Sequence, residues 1–276
     1  MSAPHSFYID FLQMGFWIAL LMGLVVGSFL NVIIYRVPKQ LLLDSHDTIK
    51  DNPFSILTCL VRPVSTTPCC QVAIAWRDNI PLISWALLRG KCRDCRAPIR
   101  ARYVLVEMIS TLAFAGVFWI FGPTWTTVFY CIFFALLIAL FWIDLETYLL
   151  PDCLTLTLLW LGLLGAALGV LPLTANEAIL GALIAYIAMW GVNAVYYLWR
   201  RRHGFGGGDF KLLAALGAWL GLGSIMPILL IASILAIVVI GLLGVLKQEA
   251  WSLEKMLPFG PFLVLAGCLV FLINNF

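Results

Sequence analysis

Charged residues are scarce in this sequence. Only 11% of its 276 residues are Asp, Glu, Lys or Arg, whereas 63% are hydrophobic, and the mean hydropathy is +1.01. A soluble domain of this length could not bury so much apolar surface. The apolar runs are continuous rather than alternating, which argues against a transmembrane β-barrel. The composition therefore predicts an all-α polytopic membrane protein.

Two familiar sequence features are also missing. The first apolar run, residues 15–35, has neither a basic segment before it nor a small-residue cleavage site. We therefore interpret it as a retained membrane helix and not as a signal peptide. The pattern G-x-x-x-x-G-K-[ST] is absent as well, although glycine is abundant between His203 and Asp209. This absence argues against a P-loop nucleotide hydrolase.

Eight apolar segments are candidate membrane helices. A helix needs about 20 apolar residues to cross a bilayer, and the sixth segment, with about 13 residues, would extend only about 20 Å. One long loop separates the first two helices. It divides the chain into a first transmembrane helix (1–35), a cytoplasmic cysteine-containing domain (36–102) and a transmembrane domain with the candidate catalytic residues (103–276). The segments are 15–35, 103–122, 124–143, 153–171, 178–199, 210–222, 224–246 and 259–273.

The basic residues predict the orientation of the chain. Of the 17 Lys and Arg residues, 11 lie between Arg36 and Arg102, and the others flank the glycine-rich turn or lie between the last two segments. With eight spans, all of them face the same side of the membrane. The positive-inside rule makes that side cytoplasmic and places the N-terminus outside.

Two carboxylates stand at helix ends on this same predicted side. Asp144 directly follows the run "FFALLIALFWI", and Asp209 directly precedes "FKLLAALGAWL". A charge at the hydrocarbon boundary is costly and usually functional. Two carboxylates brought close together share a proton, and such a pair can activate water as general base and protonate a leaving amine as general acid.

Helix capping is the alternative interpretation of these acids. Asp152 follows Pro151 and precedes an apolar segment, so we predict that it is an N-cap residue. Asp209 could cap the sixth helix in the same way. Asp144 fits this interpretation poorly because it ends a helix, where the helix dipole disfavours an anion.

Four of the eight cysteines are grouped in the long loop. Cys69 and Cys70 lie in "PCC", and Cys92 and Cys95 lie in "KCRDC". A C-x-x-C pair about 20 residues after other cysteines is typical of a tetrathiolate zinc site. A cytoplasmic location disfavours disulfides, and zinc would stabilise a loop with few apolar clusters. The alternative is a loop with reduced thiols.

Five motifs, in order along nearly the whole chain, resemble those of the prepilin peptidase family, also called type IV leader peptidases. They are "GSFLNVIIYRVP", "RDNIPLISWALLRGKCRDCRAPIRARYVLVE", "IDLETYLLPD", "GFGGGDFKLLAALGAW" and "LPFGPFL". The resemblance implies an inner-membrane aspartic endopeptidase whose catalytic pair is Asp144 and Asp209. It also implies cleavage of basic leaders after a glycine, in type IV prepilins or in pseudopilins of type II secretion.

The same resemblance implies two cofactors. Many members of the family methylate the newly exposed N-terminus with S-adenosylmethionine, although no binding motif for this donor is evident here. The family's cytoplasmic domain carries C-P-x-C and then C-x-x-C. In this chain Thr67 occupies the first cysteine position and Cys69 is additional. The predicted zinc ligands are Cys69, Cys70, Cys92 and Cys95. The alternatives are a group other than Cys69 as the fourth ligand, or a site without zinc.

Two other functions fit parts of the sequence. Short helices, glycine-rich breaks and carboxylates at the membrane edge also occur in secondary transporters. Against transport, the chain has no internal repeat and no ionisable residue near the centre of a span. A membrane scaffold with a zinc-binding loop is the second alternative. Lipid is an expected partner, and nothing indicates nucleic acid.

Overall fold

The computed structural model describes residues 3–44, 70, 85, 88–201, 204, 206–247 and 258–275. Eight α-helices of 14 to 42 residues lie within these ranges, one at each apolar segment, so the predicted all-α fold is confirmed. Within the described residues, β pairing is limited to an isolated bridge between Lys91 and Pro98. The helices are α1 (Ala3–Asp44), α2 (Arg102–Phe121), α3 (Trp125–Thr147), α4 (Asp152–Ala167), α5 (Ala175–Arg200), α6 (Gly207–Leu220), α7 (Ile225–Lys247) and α8 (Gly260–Asn275).

Helix length separates the spanning helices from the short ones. By length and composition, α1, α2, α3, α5 and the segment Leu222–Leu242 could each cross a membrane. Helices α4 and α8 have 16 residues each and α6 has 14. At 1.5 Å per residue, α6 extends about 21 Å, which is less than the roughly 30 Å of hydrocarbon in a bilayer. The short sixth segment is thus a helix, but not a full span on length alone.

Helix α1 is longer than the first apolar run. It has 42 residues and continues beyond position 35, through Pro38, to Asp44. Hydropathy detects only the apolar part of a helix, which explains why the sequence predicted an end near position 35. The beginning of the predicted cysteine-containing loop is therefore helical.

The chain forms two compact units, Met1–Ala139 and Leu140–Phe276. In the first unit, α1 packs closely on α2 because small residues lie at the contact. A Cβ added to Gly27 would lie 2.8 Å from the Cα of Glu107. The amide of Asn31 donates a hydrogen bond of 3.1 Å to the carbonyl oxygen of Tyr103. Gly27 and Asn31 belong to "GSFLNVIIYRVP", so this motif holds the two helices together.

Helix α6 forms the core of the second unit. It packs against α4, α5 and α8, and every residue from Asp209 to Trp219 except the half-buried Lys211 is buried. An α-helix that is apolar all round is expected to lie inside its domain. The indole of Trp219 donates a hydrogen bond of 2.7 Å to the carbonyl oxygen of Leu158, which ties α6 to α4.

The crossing of α5 and α6 depends on two glycines. A Cβ added to Gly217 would lie 2.5 Å from the carbonyl oxygen of Gly181, and a Cβ added to Gly181 would overlap the carbonyl group of Gly217. Backbones can approach this closely only where both residues are glycine. The position of α6, and with it that of Asp209, therefore depends on this pair.

Candidate functional site

Asp144 lies in the last turn of α3. The helix ends at Thr147, and Tyr148 follows in the left-handed conformation, with φ of 57°. Its N–H donates a hydrogen bond of 2.9 Å to the backbone oxygen of Asp144, as in a common helix C-terminal motif. Asp144 is only 4% exposed, and its carboxyl group faces the backbone N–H of Gly260, but its buried Oδ2 atom has no partner with good hydrogen-bond geometry among the described residues. Buried acceptors are normally satisfied, so water or a substrate group is the expected partner.

Asp209 lies in the first turn of α6, with Gly206 as N-cap. Its Oδ2 atom accepts a hydrogen bond of 3.2 Å from the N–H of Gly206, and the residue is 7% exposed. Asp209 is therefore not the N-cap residue of the alternative interpretation; it is the third helical residue and accepts a hydrogen bond from the N–H of the N-cap. Because this contact involves only one carboxylate oxygen, it does not preclude a chemical role for the group.

The two carboxyl groups interact electrostatically. Asp209 lies outside the five described helices that are long enough to span a membrane. Its burial, and then the nearby charge of Asp144, raise the pKa of Asp209 to about 7, although the Gly206 N–H opposes this rise. Two carboxyl groups that interact in this way do not both ionise easily, so the pair tends to retain one proton. Such a pair can both accept and donate a proton.

The turn between α3 and α4 contacts the backbone beside both acids. The side chain of Leu150 lies against Gly208, where an added Cβ would be 2.6 Å from the Leu150 Cβ. It also lies against Gly260, where an added Cβ would be 3.3 Å from the Leu150 Cδ1 and 2.5 Å from the Asp144 Oδ2. Leu150 therefore lies between Gly208, which precedes Asp209, and Gly260, which contacts the Asp144 carboxyl group.

The capping role predicted for Asp152 is wrong. Pro151 is the N-cap of α4, and no side-chain hydrogen bond caps this helix. Asp152 is instead the first helical residue, and its two oxygens accept hydrogen bonds of 2.6 and 2.7 Å from the Lys211 ammonium group. The prediction fails by one residue because the helix begins earlier than the Pro-Asp pattern indicates: with Asp152 as N-cap, it would begin at Cys153. The resulting ion pair joins the start of α4 to α6.

Three cysteines form a separate cluster in the first unit. The sulfur atoms of Cys70, Cys92 and Cys95 all lie within 4.8 Å of one another, and Cys70 and Cys92 are 4.0 Å apart. Two thiolates on a tetrahedral zinc ion, with Zn–S bonds of about 2.3 Å, would be about 3.8 Å apart. The donor set thus fits a metal of this type. Cys69 and Thr67 lie outside the described residues.

A tight backbone turn presents Cys92 and Cys95. The N–H of Cys92 donates a hydrogen bond of 2.8 Å to the carbonyl oxygen of Ala97, and the N–H of Arg96 returns one of 3.1 Å to Cys92. Arg96 has a positive φ of 57°. The turn therefore brings the two sulfurs to the same side, as the C-x-x-C spacing predicts.

Sequence reasoning found the acids but missed their neighbours. The structure brings Asp144 and Asp209 close enough to interact, although they are far apart in the sequence. It also places Leu150 and Gly260 beside them and pairs Lys211 with Asp152, contacts that the sequence does not predict. Gly260 does fall in "LPFGPFL", which was identified as a motif without a function. Contacts between such distant segments leave no local pattern to detect.

Two family models match successive parts of the chain. The bacterial peptidase A24 N-terminal domain matches residues 21–121, and the type IV leader peptidase family matches residues 131–241, which include Asp144 and Asp209. No solved protein structure gives a significant match.

Curated relatives align with nearly the full length of the chain. The prepilin leader peptidase/N-methyltransferase of Neisseria gonorrhoeae is 39% identical over 266 residues, which cover 94% of this chain and 90% of the relative. The protein of the same name from Aeromonas hydrophila is 39% identical over 269 residues, with coverage of 93% and 90%. That from Pectobacterium carotovorum subsp. carotovorum is 40% identical over 266 residues, covering 92% of each chain. With these relatives and two family models in the expected order, the chain belongs to the type IV leader peptidase family.

Proposed function

We propose that this protein removes the basic leader from type IV prepilins, or from pseudopilins of type II secretion, with Asp144 and Asp209 as its catalytic pair. The observation that carries the proposal is the meeting of two buried, interacting carboxyl groups at the ends of α3 and α6. The names of the curated relatives support the substrate class. They also favour a peptidase over the transporter and the scaffold.

The mechanism follows from a pair that shares one proton. The ionised carboxylate accepts a proton from water as the water oxygen attacks the carbonyl carbon of the scissile bond. The protonated partner donates a hydrogen bond to the developing oxyanion and then a proton to the leaving amine. The buried Oδ2 of Asp144, which has no well-formed hydrogen bond to the described residues, is the atom proposed to hold this water.

The proposed orientation places this chemistry at the cytoplasmic membrane face. Eleven of the 17 basic residues lie between Arg36 and Arg102, from the last part of α1 to the start of α2, and others flank the turn before Asp209. By the positive-inside rule these segments are cytoplasmic, and the N-terminus is outside. A prepilin whose apolar helix lies in the membrane would present its basic leader on this side.

Zinc is the metal proposed for the cysteine cluster, and metal content tests this assignment. We expect about one zinc ion per purified wild-type chain, since the three described sulfurs fit three of the four positions of a tetrahedral site. Cys92→Ser and Cys95→Ser should each lose most of the metal. Cys131→Ser, a change within α3, is the matched control and should retain it. Elemental analysis after gel filtration measures the ratio.

The same measurement identifies the fourth ligand. If Cys69 is that ligand, Cys69→Ser should lower the zinc content as much as Cys70→Ser does. A full zinc content in Cys92→Ser would contradict the metal site.

The second proposed activity is methylation of the newly exposed N-terminus. S-adenosylmethionine, when bound, supplies an electrophilic methyl group, and the curated names of the relatives pair this activity with the peptidase. No residue of this chain is assigned to binding it.

Mass spectrometry of the product tests both activities together. A purified prepilin incubated with the full-length protein in detergent should yield one mature chain, cleaved at a single bond after the basic leader. With S-adenosylmethionine present, the mass of the mature chain should rise by that of one methyl group, and the fragment spectrum should place the group on the N-terminal nitrogen. If the prepilin stays uncleaved under conditions in which a related peptidase cleaves it, the proposed function is refuted.

A further inference from the structure

We propose that Leu150 determines which substrate side chains are accepted beside the scissile bond, by restricting the space next to the two acids. The inference deepens the proposed function and depends on it. Leu150 belongs to the turn between α3 and α4, touches the backbone beside both carboxyl groups, and is half-buried, so that a bound peptide can reach it.

The restriction follows from the position of the Leu150 side chain between two glycines that adjoin the acids. Gly208 directly precedes Asp209, and Gly260 faces the Asp144 carboxyl group. The Cδ1 atom of Leu150 lies 3.2 Å from an added Cβ on Gly208 and 3.3 Å from one on Gly260. Even one methyl group on either glycine would crowd this side chain. In the proposed binding mode, the peptide carbonyl approaches the two acids past this side chain, so a small residue next to that carbonyl should be favoured.

Contacts at both ends hold the turn in position. At its start, the N–H of Tyr148 donates a hydrogen bond to the backbone oxygen of Asp144. At its end, Asp152 forms the ion pair with Lys211, which lies two residues after Asp209 on α6. The turn is therefore attached to the two segments that carry the acids. Leu150 keeps a defined distance from the pair, as a residue that selects by size must.

A panel of substrates tests this inference. The full-length protein is assayed with prepilins that carry Gly, Ala, Val or Leu on the leader side of the scissile bond, and with a second set varied on the mature side. For wild type, kcat/KM should fall steeply with side-chain size at one of the two positions. Leu150→Ala should raise kcat/KM for the Val substrate, relative to the best substrate, by about 10-fold or more, because hydrophobic pockets discriminate by about that factor per methylene group.

Leu149→Ala is the matched control. Leu149 is half-buried and lies in the same turn, but none of its atoms is among those nearest to Gly208 or Gly260. The variant should retain the wild-type dependence on side-chain size. If Leu150→Ala fails to fold, as judged by its melting temperature in detergent, Leu150→Val provides the same test with a smaller expected change.

The possible outcomes separate this inference from the proposed function. A size preference that changes for Leu150→Ala but not for Leu149→Ala supports the role of Leu150. An equal loss of activity on all substrates would indicate a merely structural residue and would overturn the inference, as would an unchanged preference at both positions. If wild-type protein cleaves no prepilin, the proposed function itself fails.

Discussion

Asp144→Asn and Asp209→Asn are each expected to lower the kcat of prepilin cleavage by about 10³-fold or more. Asparagine keeps the shape of the side chain but can neither accept nor donate the transferred proton. Positioned general acids and bases contribute roughly 10²–10⁴-fold to rate. Since one proton serves both carboxyl groups, the loss of either residue should disable both halves of the reaction. Initial rates in detergent, with a single purified prepilin, measure the effect.

A stability measurement makes this prediction specific to catalysis. Both acids are buried, so replacing either one with asparagine removes the cost of burying an ionisable group. The melting temperature of each Asn variant should therefore equal or exceed that of wild type, while activity is lost. Glu177→Gln, which changes an exposed acid at the start of α5, is the control and should remain active. Near-wild-type turnover in a folded Asp144→Asn or Asp209→Asn variant would refute the catalytic pair.

Gly181→Ala is expected to destabilise the protein strongly, although it adds only one methyl group. The added Cβ would overlap the carbonyl group of Gly217 on α6, and the contact is with backbone, which cannot rotate away. Helices α5 and α6 would have to move apart. Overpacking of this kind costs about 1–3 kcal/mol, which corresponds to a fall in melting temperature of about 5 °C for a protein of this size. Thermal unfolding in detergent provides the measurement.

Gly191→Ala is the matched control for this prediction. Gly191 lies on the same helix, and an added Cβ there would have nothing within 4 Å. The variant should be as stable as wild type or slightly more stable, since alanine favours a helix by up to about 1 kcal/mol over glycine. If the two variants lose stability equally, the cost arises from the helix backbone and not from the crossing. Cleavage activity should follow the same order, because displacement of α6 also displaces Asp209.

The features that local sequence encodes were predicted correctly. All eight apolar segments form helices, because continuous apolar runs favour helices in a membrane or a domain core. Only five of the described helices are long enough to cross a membrane. The C-x-x-C spacing predicted the clustering of Cys92 and Cys95, since such a short loop can hardly separate them. The family itself could be inferred because its five motifs are local and retain their order.

Helix boundaries were less accessible to prediction. Helix α1 extends to Asp44 because a helix can continue after its apolar surface ends. Asp152 was assigned as a cap from the residue before it, yet α4 begins one residue earlier than that assignment requires. Boundaries depend on hydrogen bonds with neighbouring elements, and sequence patterns locate them only to within a few residues.

The sequence by itself thus determined the membrane-helical fold, the two acids as candidates and the cysteine motif. Only the tertiary structure decided that Leu150 lies between Gly208 and Gly260, beside the acids. It also decided that Asp152 pairs with Lys211 and does not cap α4. It also decided the close crossing of Gly181 and Gly217. Each of these contacts joins segments that are distant in the chain, and their distances depend on how whole helices pack. Apolar periodicity and motif spacing carry no information about such distances, because they describe one segment at a time.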